Sequence, residues 1–337
     1  MRCLSLIAVL VLTVALAAAD RPHQATITLV AGDPLSGFIL SETIDGIDYS
    51  QDEQGQQRIQ LKWDKVIAIA YEPIALRDYF AGKGAENRGA FADAAAAYAK
   101  AVQAGSTQHE KAEAYKALVR MQVKAGQPAA ALASAKEMAK AMPRHRELLA
   151  TMVMAADALL NAGDSQAAAA AYDSIASLDL GPMQAQAEAL ATAGKARVMA
   201  AEGDHAGAAA AIDKALSKLK PASEPEAYAN LAIVAIRAKQ QTNDASGAQA
   251  LAQQIQFIGD AAIQGEAHLV LAKVNQSSAP LVAYDHAVIA ALRAAQGAPQ
   301  IAAEAAALAR SLADSLATDD SLTEDQRLAL KAYARQL

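Results

Sequence analysis

Residues 82–102, GKGAENRGAFADAAAAYAKAV, contain the pattern that decides the fold. Gly89 separates two runs of residues that favour helix. After it, Ala94, Tyr98 and Ala101 follow one another at spacings of four and three. Those spacings place small residues and one large residue on a single helical face, which suits two helices in close contact. The stretch therefore predicts a helical hairpin.

The turn glycine of this hairpin recurs along the chain, at Gly89, Gly126, Gly163 and Gly203. Their separations are 37, 37 and 40 residues. Asn243 stands where a fifth glycine is expected, and Asn also tolerates the left-handed backbone conformation. A sixth pair of helices is predicted over about residues 263–295 from helical pattern alone. A period of this length is typical of stacked helical hairpins.

These positions resemble the tetratricopeptide repeat (TPR) family. The best copy combines a small residue in the first helix with the small-and-aromatic series of the second: Gly82, Gly89, Phe91, Ala94, Tyr98 and Ala101. A second copy runs from Gly126 and Ala131 to Pro143. The resemblance implies an α-solenoid of antiparallel helical hairpins over residues 73–337 that binds a partner in its concave groove. Ser321-Leu322-Thr323-Glu324 matches a capping box and predicts a terminal capping helix from Ser321.

Before the repeats, the hydrophobic period is two. Five short strands are predicted, over residues 26–30, 36–40, 46–49, 58–61 and 66–69, with turn residues between them. So many short strands suggest a small closed β-barrel over residues 24–72, since closure removes exposed edges. The layout resembles SH3-like and Sm-like barrels, with Gly32 and Gly37 in a Gly-x-x-x-x-Gly pattern. The Asp-x-Asn and Arg-Gly elements of Sm-type RNA contacts are missing, so RNA binding is not implied.

The first 19 residues are predicted to be a signal peptide. Arg2 gives a positive start, an apolar run follows, and the small residues up to Ala19 suit cleavage there. A membrane anchor would need a run of roughly 20 apolar residues, which this segment does not reach. The prediction is an extracytoplasmic protein, periplasmic or secreted, with no membrane-spanning segment after cleavage. Cys3, the single cysteine, would be lost, leaving no disulfide.

Composition narrows the class of protein further. Hydrophobic residues make up 53% of the chain but aromatic residues only 4%, so thin helical layers are favoured over a thick globular core. The formal net charge of −6 argues against nucleic acid as a partner. The predicted fold is mainly α, a TPR-like solenoid preceded by a five-stranded barrel.

Partial matches to catalytic and metal motifs have structural explanations. The Gly-x-x-x-x-Gly spacing of residues 84–89 lacks the Lys of a phosphate loop, so a repeat turn is favoured. His109 opens a segment like a zinc-protease helix, but Glu113 replaces the second histidine, so a solvated helix start is favoured. The other histidines lack ligand spacing and are predicted to lie at the surface or in turns: His23, His145, His205, His268 and His286. No catalytic, cofactor-binding or metal-binding residue is predicted, and the chain is predicted not to be an enzyme.

One column of residues suggests a binding surface. The position six residues before each turn residue holds Lys83, Arg120, Asp157, Arg197 and Arg237, and Lys116 lies one turn before Arg120. The family resemblance implies that this position faces the groove. Such a stripe would suit a protein or peptide partner with acidic groups, although helix surfaces often carry such charges in ordinary ion pairs.

The predicted function is an exported, non-enzymatic scaffold that binds another protein in the groove. The alternative is a structural protein of the cell envelope that is anchored through its barrel, with the repeats as spacer or oligomerisation module. Charge reversal of Arg120, Arg197 and Arg237 is expected to weaken capture of a partner if the groove hypothesis holds.

Overall fold

A computed structural model describes residues 21–222, 225–295, 297–334 and 336. Within them, five strands are followed by fourteen α-helices, so the fold is mainly helical with an antiparallel sheet at its N-terminal side. The predicted signal peptide, residues 1–19, lies outside the described residues. In the part that is described, no helix combines the length and the apolar character that crossing a bilayer requires.

The five predicted strands all form. They are β1 (His23–Leu29), β2 (Leu35–Glu42), β3 (Ile47–Ser50), β4 (Arg58–Leu61) and β5 (Val66–Tyr71). All neighbours are antiparallel, in the order β4-β3-β2-β1-β5. A short 3-10 helix, Trp63–Lys65, joins β4 to β5. No ladder links those two strands among the described residues, so the barrel expected from the sequence is not closed by hydrogen bonds there.

One face of the sheet forms a small core because alternate residues along each strand point the same way. Ile27, Ile39, Ile47 and Tyr49 are all at most 5% exposed. The Tyr49 ring lies over Gly37, where a Cβ would come within 2.4 Å of the Ser50 backbone oxygen. Its hydroxyl donates to the Ser36 carbonyl at 2.8 Å. A glycine in β2 is therefore required for this ring to lie flat on the sheet.

The helices form seven successive pairs. The first helices of the pairs are α1 (Arg77–Asn87), α3 (Gln108–Lys124), α5 (Leu148–Asn161), α7 (Gln184–Ala201), α9 (Pro225–Gln241), α11 (Ala261–Asn275) and α13 (Pro299–Leu316). The second helices are α2 (Phe91–Ala104), α4 (Pro128–Ala141), α6 (Ser165–Ala176), α8 (His205–Leu216), α10 (Ala245–Ile255), α12 (Pro280–Ala294) and α14 (Glu324–Ala334). The pair predicted near residues 263–295 is therefore confirmed as α11 and α12.

The turns between the paired helices have the backbone that the sequence predicts. Gly89, Gly126, Gly163 and Gly203 all have positive φ, between 71° and 92°. Asn243 has φ of 59°, and no other non-glycine residue of the described part has a positive φ. The prediction that Asn replaces glycine at the fifth turn is confirmed, and the asparagine adopts the left-handed conformation that this turn needs.

Small residues allow the helices to approach closely. Ala94, Ala101 and Ala168 are fully buried, as the repeat pattern predicts. A Cβ on Gly82 would lie 2.8 Å from the Tyr98 ring, and one on Gly194 only 2.2 Å from the Tyr172 ring. Tyr98 and Tyr172, both in second helices, thus occupy space that a glycine of a first helix leaves open.

The terminal helix begins three residues later than predicted. Its capping box uses Thr323 and Gln326 rather than Ser321 and Glu324: the Gln326 N–H donates to the Thr323 hydroxyl at 3.3 Å, and the Gln326 side chain accepts from the Thr323 N–H at 2.9 Å. The Ser321 N–H instead donates to Asp319 at 2.8 Å. Two overlapping sequences fit the same motif, and the downstream one forms the helix.

Substitution of the two helical glycines Gly194 and Gly84 should have opposite effects on stability. Gly194→Ala is expected to lower the free energy of unfolding by about 1–3 kcal/mol, because the new methyl group overlaps the Tyr172 ring. Gly84→Ala is the matched control: its Cβ meets only Arg88, at 3.5 Å, so alanine should raise the free energy by up to about 1 kcal/mol. Urea unfolding of both variants measures the difference, and equal effects would contradict the packing described.

Candidate functional site

A concave groove runs along the first helices of the later repeats. A cavity of about 360 Å³ lies in it and is bordered by α5, α7, α9, α11 and α13. Its apolar lining includes Val153, Leu190, Ile233, Ile263 and Ile301. Its charged lining consists of Asp157, Arg197, Arg237, Asp260 and Glu266. The groove therefore offers apolar contacts that are interrupted by a row of charges.

Three of the six predicted binding residues, Asp157, Arg197 and Arg237, line this cavity together. The other three lie on earlier repeats. Lys83 is exposed, with its Nζ 5.7 Å from the centre of the Tyr79 ring. Lys116 bonds to Glu113 at 2.9 Å and to Glu147 at 3.2 Å, and Arg120 lies near α1.

Each predicted arginine is paired with a carboxylate of a neighbouring first helix. Arg120 of α3 bonds to Glu86 of α1 at 3.0 Å. Arg197 of α7 bonds to Asp157 of α5, and Arg237 of α9 bonds through two nitrogens to Glu266 of α11. The stripe expected from the sequence is thus a series of ion pairs between repeats.

Two of these ion pairs include a buried tyrosine of the intervening second helix, and we call them tyrosine clamps. In the first clamp, the Tyr98 hydroxyl donates to Glu86 at 3.2 Å beside Arg120. In the second, the Tyr172 hydroxyl donates to Asp157, and Arg197 donates to both. Burial and the nearby carboxylate raise the pKa of Tyr98 to about 12 and that of Tyr172 further, so both hydroxyls remain donors.

The clamps have a sequence signature that the predicted basic stripe does not include. Both tyrosines lie nine residues after a turn glycine, Tyr98 after Gly89 and Tyr172 after Gly163. In both cases an arginine follows, six residues before the next turn glycine. At this position α4, α8 and α10 have Ala135, Ile212 and Ala252, which cannot donate to a carboxylate.

The sheet is fixed to the start of the solenoid by direct contacts. The Glu42 N–H donates to the Gln108 side chain at 2.7 Å, and the Ile44 N–H donates to the Arg144 carbonyl at 2.9 Å. The Ile44 side chain is 4% exposed and belongs to the helical core. Because an apolar side chain of the β2–β3 turn completes the packing of the helices, the two parts share one core at this point.

A second cavity of about 360 Å³ lies at this junction, and we call it the junction pocket. The sheet side contributes Glu42, Trp63, the β5 residues Val66, Ile67, Ala68 and Ile69, and Tyr71; the helical side contributes His109, Ala112, Glu113, His145, Arg146 and Glu147. The Tyr71 ring is stacked on His109, with 3.6 Å between the ring centres, and its hydroxyl donates to Glu42. The Arg146 guanidinium lies 4.3 Å from the centre of the Trp63 ring.

Burial shifts several pKa values in the junction pocket. Desolvation lowers the pKa of both His109 and His145 to about 4, so both rings are neutral at pH 7. Desolvation raises the pKa of Glu42, although the Tyr71 hydroxyl and Arg146 act in the opposite direction. The His145 Nδ1 accepts the Glu147 N–H at 3.2 Å, so the neutral ring carries its proton on Nε2.

The sequence prediction for several histidines was wrong. His23 in β1 and His268 in α11 are at most 8% exposed, and His109 is packed against Tyr71 rather than solvated. His145 lies in the turn region between α4 and α5, as expected, but it is only 3% exposed. Two of them bond to partners that ligand spacing cannot reveal: His23 bonds to Thr107, 84 positions away, and His268 bonds to His286. Within the residues the structure describes, no three His, Cys, Asp or Glu side chains are grouped so that they could hold a metal ion.

Comparison with known proteins gives no assignment of function. No protein-family model matches the chain, and no curated protein matches it. Among solved structures, the crystal structure of the apo form of RapI is similar over 77% of this chain and 96% of that chain. The sequence identity is 13% and the TM-score 0.39. Function therefore has to be inferred from the groove and the junction pocket.

The second tyrosine clamp should contribute more to stability than a surface ion pair. A double-mutant cycle of Asp157→Asn and Arg197→Gln is expected to give a coupling energy of about 1–3 kcal/mol, because both side chains are two-thirds buried and share Tyr172. The matched control is Glu137→Gln with Lys140→Gln, an exposed pair whose coupling should be about 0.2–1 kcal/mol. Urea unfolding measures both cycles, and equal couplings would contradict the clamp.

Acidification should destabilise the junction through its histidines. The pKa of His145 falls from 6.5 to about 4 on folding, so the unfolded chain binds more protons between these pH values and stability decreases as the pH falls. His145→Gln, which can still accept the Glu147 N–H, should reduce the slope of unfolding free energy against pH by about 1.4 kcal/mol per unit in this window. Urea unfolding of both proteins at a series of pH values measures the slopes. Identical slopes would show that His145 does not carry this dependence.

Proposed function

We propose that this chain is an exported, non-enzymatic scaffold of the TPR-like class, which binds a protein or peptide in the concave groove of its solenoid. The observation that carries the proposal is the lining of that groove. Apolar side chains of five successive first helices border one cavity with charged residues between them. A long, segmented surface of this kind distributes binding energy over several repeats.

The apolar residues are proposed to supply most of the affinity. Val153, Leu190 and Ile301 line the cavity and are partly exposed, so covering them removes apolar surface from water. The arginines contribute less, because Asp157 and Glu266 already neutralise them. Acidic groups of a partner would have to compete with these carboxylates, so they would tune selectivity more than affinity.

The groove also favours a macromolecular ligand over a substrate. Four of its charged residues form two ion pairs across the repeats, Arg197 with Asp157 and Arg237 with Glu266, an arrangement that holds helices in register. Export is proposed from residues 1–19 alone, whose pattern suits a signal peptide. A partner is therefore to be sought outside the cytoplasm.

The proposal is tested by affinity capture with groove variants. The full chain is used to capture binding proteins from an envelope fraction, and the captured proteins are identified and then purified. Leu190→Glu and Ile301→Glu should each weaken binding of the purified partner by about tenfold or more, since a charge replaces an apolar contact in the groove. Isothermal titration calorimetry measures the affinity, and thermal melting confirms that each variant is folded.

The matched control is Leu292→Glu, an equally drastic change at a side chain of α12 that is 65% exposed and lies outside the groove. It should leave the affinity unchanged. Loss of binding in this control alone, with normal binding by Leu190→Glu and Ile301→Glu, would place the partner elsewhere and end the groove proposal. Substitution of these apolar residues is a cleaner test than charge reversal of Arg120, Arg197 or Arg237. Charge reversal would also place like charges side by side within the fold.

A further inference from the structure

The outer edge of β5 is an unusual surface. β5 is the last strand of the row, and none of the described strands pairs with its outer side. Charged residues and proline normally protect an edge strand from pairing, and the sequence of β5, VIAIAY, contains neither. Ile67 is 65% exposed. This edge is therefore open to pairing with another extended chain.

The outward backbone groups of this edge belong to residues that line the junction pocket. The Glu72 N–H donates to the Gln24 carbonyl of β1 at 2.9 Å. Since hydrogen-bonded pairs alternate along an antiparallel ladder, the N–H and C=O groups of Tyr71 and Ile69 point away from β1. Both residues line the junction pocket, so a strand that paired with them would lie along it.

The pocket has an excess of negative charge. Its lining carries the carboxylates of Glu42, Glu113 and Glu147 against one guanidinium, that of Arg146. Lys116 bonds to two of these carboxylates from outside the lining, which leaves one negative charge without a matching cation in the set. A side chain that enters this pocket is best complemented if it is basic.

The pocket also contains a hydrogen-bond donor without a partner. His145 is 3% exposed and lines the cavity, and its Nε2 has no hydrogen-bond partner in the described structure. Because Nδ1 accepts the Glu147 N–H, Nε2 carries the proton and needs an acceptor. This atom is closed off from solvent, so a peptide carbonyl could accept its proton only after the lining residues shift.

We propose that the β5 edge and the junction pocket together form a docking site for an extended peptide segment with a basic side chain. The segment adds a strand to β5 through the outward backbone groups of Ile69 and Tyr71. Its lysine or arginine enters the pocket beside Glu113 and Glu147. This surface is separate from the concave groove, so it adds a second partner site to the scaffold.

The probe is a fluorescein-labelled, end-blocked peptide, Thr-Val-Arg-Val-Thr-Val, titrated with the full chain and followed by fluorescence anisotropy. Three comparison ligands are the same peptide with Glu in place of Arg, the same peptide with N-methylated valines, and free arginine amide as competitor. The Arg peptide should bind at least about tenfold more tightly than each of the three. Glu113→Gln should weaken binding of the Arg peptide by about tenfold, equivalent to 1.4 kcal/mol.

Glu137→Gln is the matched control, since Glu137 is an exposed carboxylate of α4 outside the pocket and should leave the affinity unchanged. Thermal melting checks that both variants are folded. Equal binding of the Arg and Glu peptides, or no weakening by Glu113→Gln, would overturn the role of charge. No loss on N-methylation would overturn strand pairing, and equally tight binding of arginine amide would indicate a small-cation site. Absence of binding up to about 1 mM peptide would overturn the whole proposal.

Discussion

Close approach of neighbouring helices is the constraint on which this structure depends. A chain with 4% aromatic residues cannot fill wide gaps between layers, so its helices pack through alanine and glycine. The few large rings then need defined spaces, and Tyr172 lies where Gly194 has no side chain. The same ring orients its hydroxyl toward Asp157 and thereby positions Arg197. The contact of Tyr172 with Gly194 therefore determines both how these helices pack and where Arg197 lies in the groove.

The two candidate surfaces differ in how their charges are used. In the concave groove, each arginine is already paired with a carboxylate of a neighbouring first helix, so apolar side chains remain as the main source of affinity. In the junction pocket, carboxylates outnumber cations and the His145 Nε2 proton lacks an acceptor. One surface thus suits broad apolar contact and the other suits a directional polar ligand. Their separation along the chain would allow two partners to be held at once.

The sequence predicted what depends on local pattern. Turn glycines, the small-residue faces, the five strands and even the left-handed Asn243 follow from spacing and backbone preference. It failed where distant residues meet. Periodicity placed Arg197 and Arg237 on one column but could not show that Asp157 and Glu266 neutralise them. The junction pocket joins Tyr71 to residues of α3 and of the connection between α4 and α5, and no local signal marked His145 as buried. The start of α14 was predicted three residues too early because two capping sequences overlap.

Trp63 is the single tryptophan of the chain, so the intrinsic tryptophan fluorescence of the protein comes from one site. Its indole N–H donates to the Thr43 carbonyl at 2.8 Å, and the Arg146 guanidinium covers one face of the ring. Intrinsic tryptophan emission therefore reports on the contact between the sheet and the helices, while far-ultraviolet circular dichroism is dominated by the solenoid. The protein carries a natural spectroscopic probe that can resolve separation of the sheet from unravelling of the repeats.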